Sequence, residues 1–131
     1  MEEILNKLKN FFDPKESVIM AFLFGSVSKN KQISESDIDV AVWLKDGYTT
    51  DEIDKLWNEL ELLLHKSVDL IVLNQAYPTV AWSAMRGEKI IIRDYKLFIA
   101  KMLEISTEAE DMQDFVIDLF KLREKSRRES V

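Results

Sequence analysis

Cysteine is absent from these 131 residues, and only one histidine is present. A disulfide scaffold, a thiolate zinc site and thiol catalysis are therefore excluded, and so is a metal site built from several imidazoles. Any metal must be held by carboxylates, which selects a hard ion such as Mg²⁺. Basic charge is in short supply: 18 Lys+Arg stand against 24 Asp+Glu, a formal net charge of -6. Broad binding to nucleic-acid phosphates needs a basic face, so direct nucleic-acid binding is not expected. Long apolar runs are also missing. The longest early one, Val18–Phe24, has seven residues, against ~20 for a membrane-spanning helix. The opening MEEILNKLKNFF carries acids where a signal peptide carries a basic region. The expectation is a cytoplasmic protein with no membrane contact.

Glycine and proline number 3 and 2, so each is informative punctuation. Hydrophobic residues make up 47%, enough for one core, and the length fits a single domain over 1–131. Ile4, Leu5, Leu8, Phe11 and Phe12 predict a helix over Glu2–Phe12, ended by Asp13-Pro14. Val18–Phe24 reads as a buried strand stopped by Gly25-Ser26. The polar stretch Ser26–Ser36 reads as a short helix and a loop. Asp37–Leu44 is a second strand, with Ile38, Val40 and Val42 on one face and Asp37, Asp39, Ala41 and Trp43 on the other.

A helix over Asp51–His65 follows, with Thr50 as its cap and Ile53, Leu56, Trp57, Leu60 and Leu64 as its apolar stripe. Ser67–Leu73 is a third strand. Pro78–Arg86 is a short helix with Gly87 just past its end, and Lys89–Arg93 is a fourth strand. From Asp94 the chain is helical. Thr107 followed by Glu110 reads as a capping box, so this region is two helices or one bent one. The core covers about 15–93 and the C-terminal helical region about 94–128. The order is an α/β or α+β domain with about four strands.

The chemistry concentrates between Gly25 and Asp39. Gly25 sits where a strand turns, and without a Cβ it lets a phosphate approach the backbone. Ser26 would offer a hydroxyl and N–H groups to an anion. Asp37 and Asp39, two apart on a strand, share a face. Their charges repel unless a cation compensates. Paired Mg²⁺ ions bridged by carboxylates are a usual basis of in-line displacement at phosphorus. Asp69 stands alone in the apolar strand Ser67–Leu73, where a buried charge needs a partner or a metal. It completes a triad if that strand neighbours Asp37–Leu44.

Gly25-Ser26, then ten residues, then Asp37-Ile38-Asp39, resembles the signature of the nucleotidyltransferase fold of the DNA polymerase beta superfamily. The preceding strand, Ser36, and the later Asp69 strengthen the likeness, which covers Val18 to about Arg93. The short chain is similar to the minimal nucleotidyltransferases, called MNT, that are often paired with HEPN-domain proteins. The resemblance implies a small mixed sheet of about four strands, with helices packed mainly on one face. It implies that Asp37, Asp39 and Asp69 hold two Mg²⁺ ions and carry catalysis, with Asp69 helping to deprotonate the acceptor. It implies that Gly25, Ser26 and Lys29 bind the phosphates of ATP. Many relatives have Arg and Gly near positions 29 and 30, where this chain has Lys29 and Asn30. Lys29 meets a phosphate as a point charge rather than a fork.

The function implied is adenylylation of a tyrosine on a HEPN-type toxin ribonuclease, in a hetero-oligomer where this chain is the antitoxin. Two alternatives stand beside it. One is a non-catalytic antitoxin that covers its partner with an acidic C-terminal helix. It is disfavoured because binding alone gives no reason to bury three carboxylates. The other is transfer to a small molecule such as an aminoglycoside, disfavoured because no second domain is present to grip it. Each residue also has a plainer role to weigh: a turn at Gly25-Ser26, an edge-strand charge at Asp69, a helix end at His65.

Overall fold

A computed structural model describes residues 2–25 and 38–108. Helix α1 (Glu2–Phe12) has Glu2 and Glu3 in its first turn and Lys9 in its last, charges that match the helix dipole. It leads to β1 (Val18–Phe24). The next described strand is β2 (Ile38–Leu44), followed by α2 (Thr50–Leu64), β3 (Val68–Val72) and a 3₁₀ turn at Leu73–Gln75. Helix α3 (Pro78–Met85), β4 (Glu88–Ile92) and α4 (95–108) complete the described chain. Among the described residues no helix is long and apolar enough to cross a membrane.

The strands form one mixed sheet in the order β3-β2-β1-β4. β1 is antiparallel to both β2 and β4, whereas β2 and β3 are parallel and joined through α2. Central β1 is buried on both faces, which is why VIMAFLF reads as a continuous apolar run rather than an alternation. A register slip between Val18 and Met20 lets Val18 and Ala21 face one core while Met20 and Phe22 face the other. β2 alternates as its sequence predicts: Ile38, Val40 and Val42 pack on one side, Ala41 and Trp43 on the other.

Leu8 and Phe12 of α1 and Leu56, Leu60 and Leu64 of α2 build the larger core. That is the helical face the sequence leads one to expect. The opposite face is covered too, because Ala81, Ala84 and Met85 of α3 and Phe98, Met102 and Ile105 of α4 pack there on Met20 and Phe22.

Local boundaries differ from expectation in ways the hydrogen bonds explain. The cap of α2 is Thr49, not Thr50: its Oγ1 accepts from the Glu52 N–H at 3.1 Å. His65 closes the helix in a left-handed conformation, φ 54°, its N–H bonding the Glu61 carbonyl. Asp94 opens α4, with Oδ1 accepting from the Leu97 N–H at 3.0 Å. Thr107 lies within α4 and its hydroxyl donates back to the Leu103 carbonyl at 3.0 Å, while Glu110, the other half of the expected capping box, lies outside the described residues. The predicted short helix and loop at Ser26–Ser36, and the C-terminal region past 108, lie outside the described residues.

Candidate active site

The end of β1 meets the beginnings of β2, β3 and β4 at one end of the sheet. Phe24 pairs with Asp39, Asp39 with Asp69, and Leu23 with Glu88. Asp39 shares its face with Ala41 and Trp43, the face that α3 and α4 cover. Asp69, its parallel neighbour in register, shares that face one strand away, ~4.8 Å across the sheet. Two carboxylates therefore stand side by side, Asp39 half-buried and Asp69 exposed.

The exposure of Asp69 corrects part of the argument from sequence. Among the described residues β3 is the outermost strand, and Asp69 is exposed, so it suffers no burial that a metal must offset. The case against a non-catalytic protein cannot rest on a triad of buried carboxylates. What the structure supplies instead is register. Like charges directly opposite one another are destabilising, and an edge charge meant only for solubility has no need of such a neighbour.

Gly25 has φ 79°, a conformation that L side chains rarely adopt, and lies against Asp39. A Cβ there would overlap Asp39 Oδ2 and sit 3.2 Å from its Cγ. The missing side chain thus makes room for a carboxylate of the protein itself, a role the sequence did not reveal. Gly87 presses on the same end of β1. Its Cβ would fall 2.5 Å from the Leu23 carbonyl oxygen and 2.8 Å from Phe24 Cβ. From sequence Gly87 was only a helix stop, because no local signal announces close approach to a strand more than sixty residues earlier.

Two cations follow from the α3–β4 junction. Arg86 is exposed and stands 5.3 Å from the Trp82 ring centroid. Lys89, opposite Phe22, stands 5.5 Å from the Phe98 ring centroid. They bring positive charge to the end of the sheet where the carboxylates lie, and Lys89 had no sequence signal beyond its strand position. Of the residues that the sequence marks, the structure brings together Gly25, Asp39 and Asp69. Asp37, Ser26 and Lys29 lie outside the described residues. Among the described residues no third His, Cys, Asp or Glu joins Asp39 and Asp69 in a metal-ligating group. The donors present are carboxylate oxygens, the kind Mg²⁺ takes.

Residues 6–97 match the family described as Polymerase beta, Nucleotidyltransferase. Putative protein adenylyltransferase MJ0435 of Methanocaldococcus jannaschii is 35% identical over 77 residues, 56% of this chain and 83% of the relative. Putative protein adenylyltransferase MJ0126 of the same organism is 34% identical over 92 residues, 70% of this chain and 94% of the relative. Among solved structures, a chain of a toxin–antitoxin complex with AMP-PNP superposes with a TM-score of 0.70 at 24% identity, covering 89% of this chain and 98% of that one. A chain from the complex of tri-AMPylated Shewanella oneidensis HEPN toxin with MNT antitoxin gives 0.65 at 22% identity, covering 92% and 98%. At that identity the likeness establishes a common fold.

Proposed function

The chain belongs to the polymerase beta nucleotidyltransferase family, and on that premise we propose that it moves AMP from ATP to a tyrosine hydroxyl of a HEPN-type toxin, acting as that toxin's antitoxin. The observation that carries this reading is the register of Asp39 opposite Asp69, with Gly25 cleared of side chain beneath Asp39. Asp39 and Asp69, joined by Asp37, would hold two Mg²⁺ ions, which supply charge stabilisation at the phosphoryl oxygens. Gly25, Ser26 and Lys29 take the phosphates of ATP. Asp69, exposed on the edge strand, is open to an acceptor and takes its hydroxyl proton. The acceptor oxygen forms a bond to the alpha phosphorus as the bond from that phosphorus to the pyrophosphate oxygen breaks. Positioning and electrostatics supply most of the rate.

The relatives support a protein as acceptor, since both M. jannaschii proteins carry adenylyltransferase names and one matched complex holds an AMPylated HEPN toxin. The exposed edge position of Asp69 favours one other reading, a non-catalytic antitoxin in which that residue only keeps the edge soluble. One experiment separates them. The protein is incubated with alpha-labelled ATP, Mg²⁺ and the HEPN-type toxin proposed as its partner. Transfer predicts label on that partner, lost in EDTA and in Asp39→Asn. An unlabelled partner with wild-type protein contradicts it.

A further inference from the structure

The outer edge of β3 is closed at one residue and open at the next. Ile38 N–H donates to the Ser67 carbonyl at 3.0 Å, which sets the phase of the ladder between β2 and β3. In a parallel pair of that phase Val68, Leu70 and Val72 turn their backbone groups away from β2. At Val68 those groups are taken: its N–H donates to Glu61 Oε2 at 2.9 Å, and its carbonyl accepts from Trp57 Nε1 at 2.6 Å. At Leu70 no described strand lies alongside, whereas Val72 gives its carbonyl to the first bond of the 3₁₀ turn at Leu73–Gln75 and keeps only its N–H for the edge. There the edge borders a groove of about 420 Å³, running between α2 and α3 and walled by Trp57, Ile71, Tyr77 and Val80. Its α3 wall is exposed, Tyr77 by 76% and Val80 by 38%.

We propose that the acceptor protein docks here as an added strand. A short extended segment pairs with both backbone groups of Leu70 and with the Val72 N–H, seats an apolar side chain in the groove and carries its hydroxyl residue to Asp69. The inference rests on the transfer reading above and names how the acceptor is presented. Three features select this occupant. The open backbone groups suit an extended chain, which gains affinity from main-chain bonds and specificity from alternate side chains. The same strand carries Asp69, one residue from Leu70, so a segment paired at Leu70 already lies beside the carboxylate. Trp57 and Glu61 of α2 occupy the edge at Val68, on the face away from the carboxylates. A segment continuing past Leu70 is therefore turned toward the face that holds Asp39 and Asp69.

The test uses the full chain, alpha-labelled ATP with Mg²⁺, and the HEPN-type toxin proposed above as acceptor. Tyr77→Asp and Val80→Glu, both at exposed positions, keep the fold and spoil the groove. Each should lower transfer at sub-saturating acceptor at least tenfold through a higher acceptor KM, with the KM for ATP within twofold of wild type. In parallel, amide exchange at Leu70 should slow at least tenfold when the acceptor is added. If the wild type labels the acceptor and both variants match it within twofold, transfer stands and edge docking is wrong. Unchanged exchange at Leu70 also overturns the pairing. If the wild type leaves the acceptor unlabelled, the transfer reading has failed and this inference falls with it.

Discussion

Where β1 begins and β2 and β4 finish, the protein is tied together by side chains that reach distant backbone. Arg93 donates through Nε to the Val18 carbonyl at 2.8 Å and through its terminal nitrogen to the carbonyls of Phe12, Asp13 and Lys15. Asn74 pairs like a strand residue with Leu44, accepting from its N–H at 2.9 Å and donating to its carbonyl at 2.8 Å. At the opposite end Gly25 and Gly87 leave out side chains, and Asp39 faces a like charge on Asp69. One end spends its side chains on stability. The other sets two carboxylates in register and leaves side chains out beside them, and that asymmetry is common where a site must be kept ready for a ligand.

Substitutions that blur this contrast should separate into two kinds. The largest effect is expected for Gly25→Ala. A left-handed conformation costs a non-glycine residue ~1–2 kcal/mol, and the new Cβ must displace the Asp39 carboxylate. Because ~1 Å of misplacement can cost a hundredfold in rate, AMP transfer should fall at least about that far, while the folded fraction at low temperature stays high. A rate within threefold of wild type would mean Asp39 is not held where transfer needs it.

Arg93→Ala should do the reverse. It removes charge-assisted bonds to four carbonyls, worth about 2 kcal/mol in all once their exposure is allowed for. Urea unfolding should shift by that amount, and transfer below the new transition should be unchanged. Asn74→Ala is smaller, about 1 kcal/mol, because water can reach Leu44 once the amide is gone. The smallest effect belongs to Gly47→Ala. Gly47 has φ 90°, yet nothing lies within 4 Å of the added Cβ. Only strain is incurred, about 1 kcal/mol, and transfer should not change. Gly25 and Gly47 share a sign of φ, so the pair isolates what contact with Asp39 adds.

These contrasts also explain what could be read from the chain alone. The strand VIMAFLF is legible because burial on both faces leaves no alternation to misread. The faces of β2 follow from period-two geometry, and the helices from their stripes. The cap of α2 is ambiguous because Thr49 and Thr50 are adjacent and only coordinates show which hydroxyl reaches Glu52. The covering of the second face by α3 and α4 is a matter of assembly, not of local pattern. The meeting of Asp39 with Asp69 is legible only conditionally, since it depends on β3 being the neighbour of β2. The exposure of Asp69 depends further on nothing described lying outside β3. Arg93 reaches Phe12 across 81 positions, and no spacing announces such a clamp. The roles of Asp37, Ser26 and Lys29 rest on sequence resemblance, because they lie outside the described residues.

The two ends of the sheet do different work, and one calorimetric titration tests this. Mg²⁺ with ATP is titrated into wild type, Asp39→Asn and Arg93→Ala, at a temperature where all three are folded. Asp39→Asn should lose at least about tenfold in affinity, ~1.4 kcal/mol, and Arg93→Ala should bind within twofold of wild type. If Asp39→Asn binds normally while Arg93→Ala does not, the nucleotide lies at the other end of the sheet and the assignment is wrong.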